Sequence, residues 1–133
     1  RATKTGADIV IGSRHLERFN AKLLSIEGSG MWFCSKLVSL LSRKRITDTT
    51  SGLKIWSRKA CEVAIQAFNN GRLKEESTYH VEELIIAAKK KLKVEEINVV
   101  IRPRQYGETK SYSKRKLIMF PANLLRSTIR ALF

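Results

Sequence analysis

The chain has 133 residues, with 26 Lys and Arg against 12 Asp and Glu, 43% hydrophobic residues, 7 Gly and 2 Pro. That size fits one domain of ordinary globular composition, and the net charge of +14 asks for a polyanionic partner or a reason to tolerate self-repulsion. Aliphatic runs exclude disorder, low glycine excludes collagen, two cysteines exclude a disulfide scaffold, and no uncharged apolar stretch reaches the ~18 residues that cross a bilayer.

From the first residue, Arg1, the chain enters almost directly into Ala7-Asp8-Ile9-Val10-Ile11-Gly12, an aliphatic run closed by glycine that reads as a buried strand. With no signal-peptide pattern ahead of it, the sequence reads as a piece of a longer protein. Residues 15–30 are polar, and Glu27-Gly28-Ser29-Gly30 predicts a loop. Residues 31–43 carry apolar side chains on most turns and predict a largely buried helix. A hydroxyl-rich turn over residues 46–52 leads into a short strand at residues 53–56.

Ser57 is placed to cap a helix reaching about Phe68, with Ala60, Val63, Ala64 and Ala67 at helical spacing and Asn69-Asn70-Gly71 ending it. Residues 72–78 predict an exposed, mobile connection. A third helix covers residues 81–91, with Leu84, Ile85, Ala87 and Ala88 inward and Lys89-Lys90-Lys91 at its negative end. Residues 93–101 alternate imperfectly and predict a strand, residues 102–113 a basic loop. From Lys114 the pattern is an amphipathic helix interrupted near Pro121. The order is mixed α/β with too few strands for a complete sheet, and the missing strands are expected upstream of Arg1.

The charge is uneven. Residues 102–133 hold eight basic residues against Glu108 alone, which is half the net charge in about a quarter of the chain. Nucleic acid is the default partner for such a domain. The basic residues, however, are not interleaved with stacking aromatics, and no zinc-finger or other nucleic-acid-binding pattern is present. An anionic membrane surface is the rival, because the same segment is strongly apolar. Cys34 and Cys61 read as reduced, buried cysteines, and His15 and His80 have no partner at metal-ligand spacing.

Four segments, in order, carry a resemblance. They are Gly6-Ala7-Asp8-Ile9-Val10-Ile11-Gly12-Ser13-Arg14, Asp48-Thr49-Thr50-Ser51-Gly52-Leu53-Lys54, the run from Val81-Glu82-Glu83-Leu84 to Glu96-Ile97, and Arg102-Pro103-Arg104-Gln105-Tyr106-Gly107-Glu108-Thr109-Lys110. Together they resemble the inverting family-two glycosyltransferases of the dolichyl-phosphate mannosyltransferase and polyprenyl-phosphate glycosyltransferase type. The resemblance implies an α/β chain that is the later portion of a GT-A fold: a mixed sheet with flanking helices, incomplete without an upstream nucleotide-binding half. Residues 1–112 would be the acceptor-side part of the catalytic domain and residues 113–133 a basic amphipathic interfacial helix.

The implied reaction moves a sugar from UDP- or GDP-sugar to a polyprenyl or dolichyl phosphate, with inversion, at the cytoplasmic face of a membrane. An acceptor phosphate is already anionic at neutral pH and needs little from a general base. Its approach to a departing diphosphate is the obstacle, and cations and hydrogen-bond donors placed between the two lower it. By resemblance Asp48 is the catalytic residue, facing the sugar or transfer centre. Ser13, Arg14, Ser51, Arg102, Arg104 and Lys110 bind the acceptor phosphate and diphosphate, with Gly52, Glu82 and Gly107 in support. Arg14 also stands just past a strand's carboxyl end, where open α/β sheets place ligands.

Met31 occupies a position where relatives often have Arg, which leaves one acceptor-phosphate contact to Lys36 or Arg43. Leu92 replaces the family's glycine before the last strand. The family's Asp-x-Asp motif, which holds Mg²⁺ or Mn²⁺, does not occur in these residues. The metal ligands are therefore expected upstream, and the chain alone is expected to be inactive. Two alternatives remain: a transferase building polysaccharide on a sugar hydroxyl, which would need a carboxylate base, and a basic nucleic-acid-binding module. Homo-oligomerisation is left open.

Overall fold

The computed structural model describes residues 6–14, 16, 26–74, 78–100 and 114–132. Among them the order is β1 (Ile9–Ser13), α1 (Ile26–Ser42), β2 (Lys54–Trp56), α2 (Arg58–Asn69), α3 (Tyr79–Lys89), β3 (Val94–Asn98) and α4 (Lys114–Leu132). The class is α/β, with a small mixed sheet in the order β2-β1-β3. β1 runs antiparallel to β2, with Ile11 opposite Lys54, and parallel to β3, with Ile11 opposite Glu96 and Ser13 opposite Asn98.

β1 is buried along its whole length, as its unbroken aliphatic run requires of a strand flanked by two others. Its side chains join Cys34 and Val38 of α1, Ala60 and Ala67 of α2, Val81 to Ala87 of α3, and Leu124 and Ala131 of α4 in one core. At the carboxyl ends of β1 and β3, Val99 N–H donates to the Ser13 carbonyl at 3.0 Å, extending the pairing beyond the strand proper. α2 starts where the sequence places it, since the Ser57 hydroxyl accepts from the Ala60 N–H at 3.2 Å.

Three local expectations are corrected. Residues 27–30 are the first turn of α1, not a loop. Two glycines weaken a helix by only about 1 kcal/mol each, and α1 is held further along by the buried Cys34, Ser35 and Val38. α4 passes through Pro121 without a break. A mid-helix proline costs about 3 kcal/mol, and the packing of Leu124, Ser127, Thr128 and Ala131 in the core outweighs it. Cys61 is exposed, because it lies on the face of α2 opposite the buried Ala60 and Ala67, whereas Cys34 is buried.

α4 docks through Leu124, Ser127, Thr128 and Ala131 at i, i+3, i+4 and i+7, leaving Leu125 and Ile129 exposed. Thr78 and Ser127 share a hydrogen bond of 2.6 Å at this contact, so the connection before α3 ends buried rather than exposed. No helix among the described residues is long and apolar enough to cross a membrane.

Candidate functional site

The turn between α1 and β2 is folded back onto the carboxyl ends of β1 and β3. Its anchor is Glu96, which the sequence analysis did not single out. Both Glu96 carboxylate oxygens accept from the Thr47 N–H at 2.9 Å, and Oε1 also accepts from the Asp48 N–H at 2.9 Å. The Thr47 hydroxyl lies 3.1 and 3.0 Å from the same two oxygens. A half-buried carboxylate at the end of the sheet is stabilised by such donors.

Ser13 and Ser51 fasten the same turn. The Ser13 hydroxyl is 2.8 Å from the Thr47 hydroxyl, and the Ser51 hydroxyl donates to the Gly12 carbonyl at 2.7 Å. Both side chains are buried. Gly12 lies close under the incoming strand: a Cβ there would stand 2.8 Å from Leu53 Cδ2 and 3.1 Å from Val99 Cγ1. Gly52 by contrast is exposed, and a Cβ there would meet nothing within 4 Å.

This clamp delivers Asp48 to Arg14. Arg14 Nε donates to Asp48 Oδ2 at 2.7 Å, Nη2 donates to Oδ1 at 2.7 Å, and the Arg14 backbone N–H adds a third bond to Oδ2 at 3.1 Å. Nη2 also reaches the Thr50 hydroxyl at 3.1 Å. The Asp48 side chain is fully buried, while that of Arg14 is 37% exposed. The result is a two-pronged guanidinium–carboxylate pair, rigid on its inner edge and open to solvent on part of its outer surface. Of the residues chosen from the sequence, the structure brings Ser13, Arg14, Asp48 and Ser51 together. Arg102, Arg104, Gly107 and Lys110 lie outside the described residues.

Glu82 is elsewhere. It sits fully buried on α3, paired with Arg130 of α4 and accepting from the Lys74 N–H at 3.1 Å. These contacts tie α3 to α4 and to the preceding loop. Its neighbour Glu83 pairs with Lys54, and His80 Nδ1 lies 3.5 Å from Glu83 and 3.4 Å from Lys54 Nζ. Burial lowers the Lys54 pKa from 10.5, against the pull of Glu83, which raises it. Among the described residues no three His, Cys, Asp or Glu side chains are grouped so as to hold a metal ion.

A scan against protein-family models returns no match, and searches of curated proteins and of solved structures return none either.

Proposed function

We propose that the chain is the acceptor-side part of an inverting glycosyltransferase of the GT-A type, whose parent enzyme passes a sugar from a UDP- or GDP-sugar to a polyprenyl phosphate at the cytoplasmic face of a membrane. One observation carries this reading. Arg14 and Asp48, 34 residues apart and both chosen for their place in the resemblance, meet at 2.7 Å beyond the carboxyl end of β1.

The chemistry follows from that pair. Arg14 is held by a buried carboxylate in one orientation, so it meets an incoming phosphate without first losing side-chain freedom. Its fixed positive charge is a strong hydrogen-bond donor for a phosphate oxygen. Arg102, Arg104 and Lys110 would close over the same anions from the basic loop, with Gly107 permitting the turn. The Mg²⁺ or Mn²⁺ that the resemblance implies would neutralise the departing diphosphate, and its ligands are assigned outside this chain.

Asp48 serves as the positioning partner of Arg14. Both of its carboxylate oxygens accept from the guanidinium, which suits an acceptor that needs no base. This favours a phosphate acceptor over a sugar hydroxyl.

The test is binding of a short prenyl phosphate in detergent micelles, with the matching prenyl alcohol as the comparison. Binding of the phosphate alone, weakened about tenfold or more by Arg14→Gln, is the expected result. Equal binding of the alcohol, or binding indifferent to Arg14, would end this reading. Salt-sensitive binding to unrelated RNA with none to the phosphate would favour the nucleic-acid alternative.

A further inference from the structure

α1 has two apolar faces. One, with Cys34 and Val38, is buried in the core. The other carries Trp32, Phe33 and Leu40, the last two 54% and 77% exposed, with Lys36 and Arg43 between and beyond them. A helix on a protein surface ordinarily turns a polar face to water, so this second face lacks the expected design.

Trp32, Lys36 and Leu40 of this face also line a groove of about 580 Å³, with Phe33 outside it. The turn after α1 supplies more of its lining. There Arg43 adopts φ +52, and Lys44 N–H donates back to the Ser39 carbonyl at 3.2 Å. Reversed in this way, the chain adds Arg43, Lys44 and Arg45 to the lining that Lys36 begins. Four cations thus line one groove. Among the described residues a carboxylate, Glu95, lies 3.9 Å from Lys44. The polar side chains on the groove's floor are committed to the fold: the Ser35 hydroxyl donates to the Thr47 carbonyl and the Ser39 hydroxyl accepts from the Ile46 N–H. Arg14 and Asp48 are not part of its lining.

We infer that this groove is a seat for the anionic headgroups of a phospholipid membrane, with Lys36 and Arg43 in the headgroup layer and Trp32, Phe33 and Leu40 in its apolar edge. The charge sign selects an anionic surface. The exposed Leu40 and Phe33 select lipid over nucleic acid, since a phosphate backbone offers nothing to cover them. Tryptophan suits the boundary, with an apolar ring and a polar N–H; here Lys36 Nζ stands 5.6 Å from the Trp32 ring centre. The inference rests on the groove and not on the transfer reading.

The test uses the full chain with Trp56→Phe, which leaves Trp32 as the sole tryptophan. It is mixed with phosphatidylcholine vesicles with and without phosphatidylglycerol, free of prenyl phosphate and of sugar donor. Binding to the phosphatidylglycerol vesicles, with Trp32 fluorescence quenched by brominated acyl chains, is expected. Lys36→Gln with Arg43→Asn, the latter chosen because asparagine tolerates a positive φ, should weaken binding about 25-fold, roughly fivefold for each charge. Leu40→Asn should weaken it at unchanged net charge. Lys74→Gln with Lys90→Gln, two exposed charges outside the groove, should leave most of the binding in place.

An unquenched Trp32 overturns the inference. So does a control pair that weakens binding as much as the groove pair, or a Leu40→Asn variant that binds undiminished. Oligonucleotide binding by the groove without vesicle binding overturns it as well. Circular dichroism confirms that each variant is folded. A chain that fails the prenyl phosphate test and passes this one keeps the groove and loses the transfer reading.

Discussion

Glu96 and Arg14 hold Asp48 from opposite ends: Glu96 takes its backbone N–H at 2.9 Å, and Arg14 takes both oxygens of its carboxylate at 2.7 Å. β1 and β3, paired in parallel, supply the two fixed points, and the turn between α1 and β2 is strung across them. The position of Asp48 is thus set by the sheet and not by the turn's own propensity, and a change at either anchor should be felt at the other.

The Arg14–Asp48 pair should be unequal under mutation. Removing Arg14 leaves a fully buried carboxylate short of its charged partner, whereas removing the Asp48 charge leaves a guanidinium that is 37% exposed and can turn to water. Arg14→Ala should therefore cost about 3–5 kcal/mol. Asp48→Asn, which keeps the shape and one acceptor oxygen, should cost about 1–3 kcal/mol. Urea unfolding of the two variants checks the order. Equal losses would mean that the burial of the Asp48 carboxylate does not set the cost of removing its partner.

Glu96→Gln tests the other anchor. The amide keeps one acceptor oxygen but turns an NH₂ group toward the Thr47 and Asp48 N–H groups, donor against donor. A loss of about 1–3 kcal/mol is expected, together with faster hydrogen exchange at residues 47 and 48. Exchange unchanged at those two amides would show that Glu96 does not hold the turn.

How far the sequence disclosed this arrangement depends on how local each feature is. Ile9 to Ile11 could hardly be anything but a buried strand, and Ser57 announces the start of α2. The grouping of Arg14 with Asp48 was reached only through the resemblance, since nothing in either residue's neighbourhood signals a partner 34 positions away. Glu96 was passed over because it lies in a strand read for its aliphatic residues. The inner face of α4 was hidden for another reason. Ser127, Thr128 and Ala131 pack closely because they are small, and a small polar stripe carries little hydrophobic signal, while the more conspicuous Leu125 and Ile129 face outward.

Thr49 offers a gain. Its hydroxyl is buried and has no hydrogen-bond partner among the described residues. Thr49→Val replaces that hydroxyl with a methyl group of nearly the same shape and should stabilise the chain by about 1 kcal/mol, seen as a rise in Tm. A loss of stability instead would show that the hydroxyl is bonded when the chain is in solution.

The Lys54–Glu83 pair gives a pH dependence of definite sign. Burial holds the Lys54 pKa below 10.5, so in the basic range the unfolded chain binds this proton more readily than the folded one. Stability therefore rises with pH as Lys54 loses its proton in the fold, and the gain is complete above 10.5. Lys54→Met should abolish that rise and, by stranding Glu83, cost about 3–5 kcal/mol. Lys54→Met with Glu83→Leu should recover most of the loss. Unfolding free energies from about pH 8 upward measure both effects as differences from the double variant, which keeps the opposing slope of the buried Cys34 thiol.

Cysteine chemistry separates the two thiols without mutation. Cys34 lies in the core against β1 and α3, and burial pushes its pKa up to about 12. Cys61 is exposed on α2. The thiolate is the reactive form, and water must reach it. A thiol-reactive dye at neutral pH should therefore modify Cys61 promptly and leave Cys34 untouched until denaturant is added. Cys61→Ser should abolish the prompt phase and preserve the slow one, whose rate then reports the opening of α1 from the core. Prompt labelling of both thiols in the native protein would mean that α1 does not stay packed on the sheet, and the clamp on Asp48, which leans on the middle of α1 through Ser35 and Thr47, would lose its support.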